Sequence, residues 1–333
     1  MASKPFPAGV YAASLTWFSE GEQQPINYEI QERHLKHLIG SGLTGVVIAG
    51  SNGEAVSLTA EERLKLVSLT REVATRMGRK DMPIVIGTVG HATMDIIEQL
   101  RASKEAGADF GLVLTPSYFH FAMNASAIKQ FFTERADAEQ VADASPIPIP
   151  IYSWPLVTSG IELNSDIMST LGIHPNIAGT KLTCGGIAKT VRIAAEFRKE
   201  DFCALTGFTD WLLPGLHAGA SGSISGFANL CPRSALFDAA IVGVLIRKKA
   251  CVRIYETYKA GKFDEARALQ NAIAKPEWDI TKSGINGTKW VVAKLLGYGE
   301  ENCATRRPYT KFTDEVQQKE LLAVMQVVYA SEN

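Results

Sequence analysis

Apolar residues in this chain fall in short, unbroken runs separated by longer amphipathic stretches. Val46-Val47-Ile48-Ala49 and Ile84-Val85-Ile86 contain no polar residue to turn toward water. Such runs are strands covered on both faces, as in a parallel sheet flanked by helices. Eight strands are predicted: residues 9–18, 45–50, 83–90, 110–116, 147–154, 177–182, 203–208 and 222–226. Between them the apolar positions recur with helical spacing. Thr59-Ala60-Glu61-Glu62 reads as a capping box, followed by Leu64, Leu66, Val67 and Val73 on one broad face. Thr93 and Asn164 are expected N-caps. Gly42, Gly78, Gly107, Gly172 and Gly219 are expected just past helix ends. Eight strand–helix units in roughly 230 residues predict an α/β fold, a (β/α)8 TIM barrel. An open doubly wound sheet is the alternative, but no G-x-G-x-x-G follows the first strand.

The rhythm changes after Gly226. Helices without intervening strands are predicted at 235–246, 251–260, 263–274, 287–296 and 314–330, with loops at 284–287 and 297–308. This divides the chain into a catalytic barrel over residues 1–231 and C-terminal helices over 232–333 that complete and extend it. The alternating prolines of Ser145-Pro146-Ile147-Pro148-Ile149-Pro150 suggest an extended, partly unpaired approach to the fifth strand.

Composition narrows the function classes. A net charge of −1 without a large basic block argues against nucleic acid and anionic membrane surfaces as partners. No run of about 18 apolar residues is present, so no membrane span is expected. Cys184, Cys203, Cys231, Cys251 and Cys303 are widely spaced and include no C-x-x-C, as suits reduced thiols. Together with a start that lacks a signal-peptide core, this suggests a cytoplasmic protein. His34 and His37 lie three apart on a predicted helix, but no third ligand arrives at a matching spacing. No metal and no cofactor are expected.

The most informative residue is Lys181, in Ile177-Ala178-Gly179-Thr180-Lys181-Leu182. Burying an ammonium disfavours its charged form and lowers its pKa. A lysine held partly neutral can form a Schiff base with a ketone. A strand-end lysine that snorkels to solvent is the ordinary alternative. The other strand ends weigh against that alternative, because barrel enzymes carry their chemistry there. They hold Gly50-Ser51-Asn52-Gly53-Glu54, Thr115-Pro116-Ser117-Tyr118, Tyr152-Ser153-Trp154-Pro155 and Gly222-Ser223-Ile224-Ser225-Gly226. A Gly-bracketed turn with Ser and Asn can aim N–H groups and a hydroxyl at a carboxylate. Tyrosines near a Schiff-base lysine can relay protons, and glycines around Ile224 let a flat substrate approach the backbone.

These motifs resemble the dihydrodipicolinate synthase and N-acetylneuraminate lyase superfamily over nearly the full length. Gly50–Glu54 is similar to its G-x-x-G-E, Thr115–Tyr118 to its T-P-x-Y, Tyr152–Pro155 to its Y-x-x-P and Gly179–Lys181 to its G-x-K. Residues 219–229 are close to its G-x-x-G-x-I-S-x-x-A-N. The resemblance implies a (β/α)8 barrel that acts on a small 2-keto acid. In it Lys181 forms the Schiff base, Tyr152 moves protons, and Ser51 and Tyr118 complete a relay. Ser51 and Asn52 bind the substrate carboxylate, with Gly53, Thr158 and Ile224 as further binding candidates. It also implies a homo-oligomer, with Tyr118 shared across a dimer and dimers pairing into a tetramer. Two positions depart from the synthase pattern. Val157 stands where those enzymes carry an arginine for the second substrate, and Leu182 follows the lysine in place of an acid. The expected activity is therefore that of an aldolase cleaving a 2-keto-3-deoxy sugar acid to pyruvate and an aldehyde. The alternatives are 4-hydroxy-2-oxoglutarate cleavage, dihydrodipicolinate synthesis, a dehydratase relative and a non-catalytic keto-acid sensor.

Overall fold

A computed structural model describes residues 5–133, 140–230 and 250–330. Its strands are β1 (Gly9–Ala13), β2 (Gly45–Ile48), β3 (Ile84–Gly87), β4 (Phe110–Leu114), β5 (Ile149–Ser153), β6 (Ile177–Leu182), β7 (Cys203–Thr206) and β8 (Gly222–Ser225). They close into a barrel in sequence order, β8 pairing with β1, and every pairing is parallel. The unbroken apolar runs follow from this closure. Val46 and Ile48 pack outward against the helices while Val47 fills the barrel, and Ile84 and Ile86 divide from Val85 in the same way. At the N-terminal end Phe6 plugs the interior, its ring 5.0 Å from Tyr11 and 4.8 Å from Phe110. The opposite end is open.

Several boundaries differ from expectation for local reasons. β1 stops at Ala13, because the backbone beyond it is satisfied by side chains. Leu15 N–H donates to Asn229 Oδ1 at 3.1 Å and Trp17 N–H to Gln31 Oε1 at 3.1 Å. Thr59 and Glu62 form the capping box, and Asn164 caps its helix through Ile167 N–H. Thr93 is not an N-cap: it is the first helical residue, after Ala92, which makes no side-chain cap. Gly42, Gly78, Gly107 and Gly219 take positive φ, whereas Gly172 is the last residue of helix Ser165–Gly172, packed against the Phe197 ring.

The C-terminal part is helical, with helices Ala250–Lys259, Phe263–Lys282, Gly284–Leu296 and Glu315–Ala330. The predicted helix 235–246 lies outside the described residues. The helix predicted at 263–274 runs on through Pro276 to Lys282. The loop expected at 284–287 is instead the first turn of the next helix, and the reversal is made by Ser283 and Gly284, whose φ is +67°. The longer helix reaches the open end of the barrel, where Glu277, Ile280 and Thr281 help to line a cavity.

Candidate active site

Lys181 faces the barrel interior because β6 carries one residue too many. Against β5, Ile149 pairs with Ile177 but Pro150 pairs with Gly179, so the register skips Ala178. A β-bulge of this kind reverses the in–out alternation. Ala178 lies in the interior cluster, and the alternation restarts at Gly179 so that Lys181 also points inward. It stands level with the interior residues Tyr152 on β5 and Leu205 on β7. Gly179 makes this possible. Its φ is +155°, and a Cβ there would meet the Cys203 carbonyl oxygen at 2.3 Å. Pro150, without an N–H to donate, sits at the irregular register on the facing strand, where proline is tolerated.

The lysine is only 6% exposed, and its Nζ lies 4.2 Å from the Tyr152 ring centre. No carboxylate pairs with it among the described residues. Burial alone lowers its pKa to about 7, so much of it is an uncharged amine at neutral pH. Tyr152 is buried as well. Burial pushes its phenol well above the usual range, and the hydroxyls of Ser51 and Thr183 beside it oppose that rise. The phenol therefore holds its proton at rest, and the buried Thr183 hydroxyl has no hydrogen-bond partner among the described residues. Thr183, just past β6, was not read from the sequence; its alignment with Lys181 along one strand is the signal that could have found it.

A cavity of about 460 Å³ opens above this pair, lined by Ser51, Asn52, Tyr152, Trp154, Lys181 and Thr183 among others. The turn after β2 forms one wall. Ala49 and Glu54, at its two ends, hold left-handed φ of 48° and 54°, a backbone state that costs about 1–3 kcal/mol per residue. Glu54 is anchored by Lys289 Nζ at 2.6 Å and by the Arg306 N–H at 2.9 Å. Asn52 packs on Gly226, where a Cβ would come within 1.8 Å of its Nδ2. Ser51 and Asn52 are thus presented to the cavity by a strained, clamped turn.

Other expected site residues stand elsewhere. Gly53 lies behind the turn, its carbonyl accepting from Thr16 Oγ1 at 2.8 Å. Thr158 is buried and spends its hydroxyl on the carbonyls of Trp154 at 3.1 Å and Ile161 at 3.2 Å. Ile224 is fully buried in the interior cluster below the cavity. None of the three lines the cavity. Tyr118 lies outside it too: the side chain is 72% exposed and stacks near His91 and Phe119 in a separate cleft. Val157 and Leu156 do line the cavity, and among the described lining residues Lys181 is the single basic side chain.

No group of three His, Cys, Asp or Glu side chains able to hold a metal occurs among the described residues. His34 is buried between Tyr298 Oη at 3.1 Å and Asn229 Oδ1 at 2.9 Å. Burial lowers its pKa to about 3 and that of His37 to about 4. No helix of the described residues is long and apolar enough to cross a membrane. Cys184, Cys203, Cys251 and Cys303 are free thiols.

Comparison with known proteins agrees with this geometry. The model of the dihydrodipicolinate synthetase family matches residues 7–327. An Emericella nidulans protein named "Probable 4-hydroxy-2-oxoglutarate aldolase, mitochondrial" is 37% identical over 92% of this chain and 91% of its own. The L-threo-3-deoxy-hexylosonate aldolase of Hypocrea jecorina is 35% identical over 90% of each. A crystal structure of a dihydrodipicolinate synthase family protein from Coccidioides immitis superimposes with a TM-score of 0.81 at 33% identity, covering 99% of this chain and 98% of that one.

Proposed function

Because the chain belongs to the dihydrodipicolinate synthetase family, we propose that it is a Schiff-base aldolase. It cleaves a 2-keto-3-deoxy sugar acid, such as L-threo-3-deoxy-hexulosonate, to pyruvate and an aldehyde, here glyceraldehyde. The observation that carries this reading is the inward-facing Lys181, buried, without a counter-charge, its pKa lowered to about 7 beside the Tyr152 phenol.

The chemistry follows from the placement. The neutral amine attacks the C2 carbonyl, and loss of water leaves an imine. Once protonated, the imine can accept an electron pair. The substrate carboxylate rests against Ser51 and Asn52. Tyr152 takes the proton of the C4 hydroxyl while its own proton passes toward Ser51 or Thr183. The C3–C4 bond breaks, its electron pair flows into the imine as an enamine, and the aldehyde departs. A proton returned to C3 and one water then release pyruvate and the free amine. The raised pKa of Tyr152 suits a relay that begins and ends as a phenol.

A second reading, 4-hydroxy-2-oxoglutarate cleavage to pyruvate and glyoxylate, is favoured by the name of the Emericella nidulans relative. Its substrate carries a second carboxylate. Val157 and Leu156 line the wall where a partner for that charge would be needed, and they supply none. Pyruvate release from the two C4 epimers of 2-keto-3-deoxyhexonate and from 4-hydroxy-2-oxoglutarate separates the readings. Release from one hexonate epimer supports the first; release from 4-hydroxy-2-oxoglutarate alone replaces it with the second.

We read the protein as a homo-oligomer. Tyr118, Phe119 and Phe121 form an exposed aromatic patch, which a second copy would cover. Tyr118 would then join the relay of a partner's site, and sedimentation velocity tests the association. The free thiols suit a reducing compartment. We read that compartment as the cytoplasm, and the Emericella nidulans relative's name points to mitochondria as the alternative.

A further inference from the structure

Beyond Tyr152 the cavity wall turns apolar, and the steps above make no use of it. Tyr152 is level with Lys181 across the β5–β6 pairing. Trp154 follows two residues later, nearer the open end, and its ring stacks on that of Tyr152 with 5.9 Å between centres and 27° between planes. Leu156 and Val157 continue the wall. They are 81% and 37% exposed, and both line the cavity. Ile280 and Ile285, from the two helices that meet at Ser283 and Gly284, line it as well, and Tyr309 adds a half-exposed ring. Exposed apolar side chains from separate elements that converge on one cavity mark a surface for a ligand.

Much of the polar lining in this part is engaged elsewhere. The hydroxyls of Thr281 and Thr288 donate to the Glu277 and Gly284 carbonyls at 2.7 and 2.8 Å. Glu277 Oε1 accepts the Thr209 N–H at 2.9 Å and the Ser225 hydroxyl at 2.8 Å, and Oε2 is buried. In the turn after β5 the Val157 N–H donates to the Trp154 carbonyl at 3.0 Å and the Gly160 N–H to that of Pro155 at 2.8 Å. That turn therefore presents hydrocarbon to the cavity. A substrate whose C4 lies beside the Tyr152 phenol carries its further carbons past Trp154. A sugar acid can lay its C–H edge on this wall and keep its hydroxyls toward open water. The wall then recognises the carbon skeleton of the tail, since burying a methyl group is favourable and burying an unpaired hydroxyl is not.

We infer that the same site joins pyruvate to aldehydes with an aliphatic or aromatic tail, so that its substrate class extends beyond sugar aldehydes. This rests on the aldolase reading above and runs its steps in the synthetic direction. Loss of a methyl proton from the pyruvate imine gives the enamine. Its C3 attacks the aldehyde carbon and forms the C3–C4 bond. The carbonyl π pair moves to the aldehyde oxygen, which takes a proton from Tyr152. The water lost in forming the imine is returned, releasing a 4-hydroxy-2-oxo acid and the free amine.

The test compares glyceraldehyde with 2-methylbutanal, which has the same skeleton with each hydroxyl replaced by a methyl group. Each is supplied at saturating pyruvate, and the product is measured by liquid chromatography and mass spectrometry. With the wild-type protein, kcat/KM for 2-methylbutanal is expected to lie within about tenfold of that for glyceraldehyde or above it. The variant L156N/V157T keeps similar shapes and makes the wall polar at two exposed positions. Its ratio of kcat/KM for 2-methylbutanal over glyceraldehyde should fall about fivefold or more, and this ratio cancels the intrinsic reactivity of the two aldehydes. A wild-type value for 2-methylbutanal more than about tenfold lower, or a ratio unmoved in the variant, overturns this inference and leaves the aldolase reading standing. Product from neither aldehyde with the wild-type protein overturns the aldolase reading and this inference with it.

Discussion

Two lysines are buried at the open end of this barrel, and they have opposite fates. Lys289 is 0% exposed, and its Nζ bonds Glu54 at 2.6 Å and the Ala304 carbonyl at 2.8 Å. Lys181 is nearly as buried but meets only the face of Tyr152. For Lys289, burial lowers the pKa while Glu54 pulls it back up. For Lys181 nothing opposes the burial. The first is held against the Glu54 carboxylate and clamps the Gly50–Glu54 turn to the C-terminal segment. The second becomes an amine that can attack a carbonyl. Burial alone does not make a nucleophile; burial without a counter-charge, beside a cavity, does.

Exchanging the two environments, or removing either lysine, breaks the comparison where it is strongest. Lys181→Ala should lower kcat by at least about 10³-fold while the far-ultraviolet circular dichroism stays that of the wild type. Appreciable residual cleavage would remove the amine from the mechanism. Lys289→Ala leaves Glu54 buried with the Arg306 N–H but without its counter-charge, which should cost about 3–5 kcal/mol of stability in urea unfolding. A loss below about 1 kcal/mol would show that the clamp is ornamental. Tyr152→Phe should slow turnover by about 10²-fold with little change in stability, since only the proton-moving hydroxyl is lost.

The titration of Lys181 sharpens the contrast further. Its folded pKa, lowered to about 7, means that the reactive form is lost as pH falls. kcat/KM should drop about tenfold per pH unit below 7 and flatten above it; a flat profile from pH 5 to 8 would contradict the assignment. The smallest effect is on stability. An amine with a depressed pKa destabilises the fold, fully so below about pH 7, and the penalty fades as pH rises toward the unfolded value near 10.4. Lys181→Met should therefore gain about 0.5–2 kcal/mol at pH 6, with the gain shrinking by pH 9. A gain that grows with pH would reverse the sign.

How much of this was legible in the sequence depends on what periodicity can carry. Strands buried on both faces announce themselves as unbroken apolar runs, so the eight strands and the barrel were readable from segments such as Val46–Ala49 and Ile84–Ile86. That Lys181, Tyr152, Ser51 and Asn52 would line one cavity was readable because they sit at or just past strand ends. The bulge that turns Lys181 inward was not, since an inserted residue in an all-apolar strand leaves the pattern unchanged. Thr158 was misplaced because a hydroxyl beside a turn is drawn to nearby carbonyls rather than to substrate. Glu277 was missed because Pro276 lacks an N–H and ordinarily ends a helix, yet here the helix continues and delivers the acid to the cavity. Tyr118 was expected beside Ser51 and Tyr152, yet its loop carries it to an exposed cleft apart from the cavity, a course that periodicity does not report.

The most direct test of the lysine's role is covalent trapping. The protein would be incubated with pyruvate and sodium borohydride at pH 7, digested and mapped by mass spectrometry. The account predicts one reduced pyruvate adduct per chain, on the peptide that holds Lys181, with none on the peptide that holds Lys289. An unmodified Lys181 peptide, or an adduct shared between the two lysines, would contradict it.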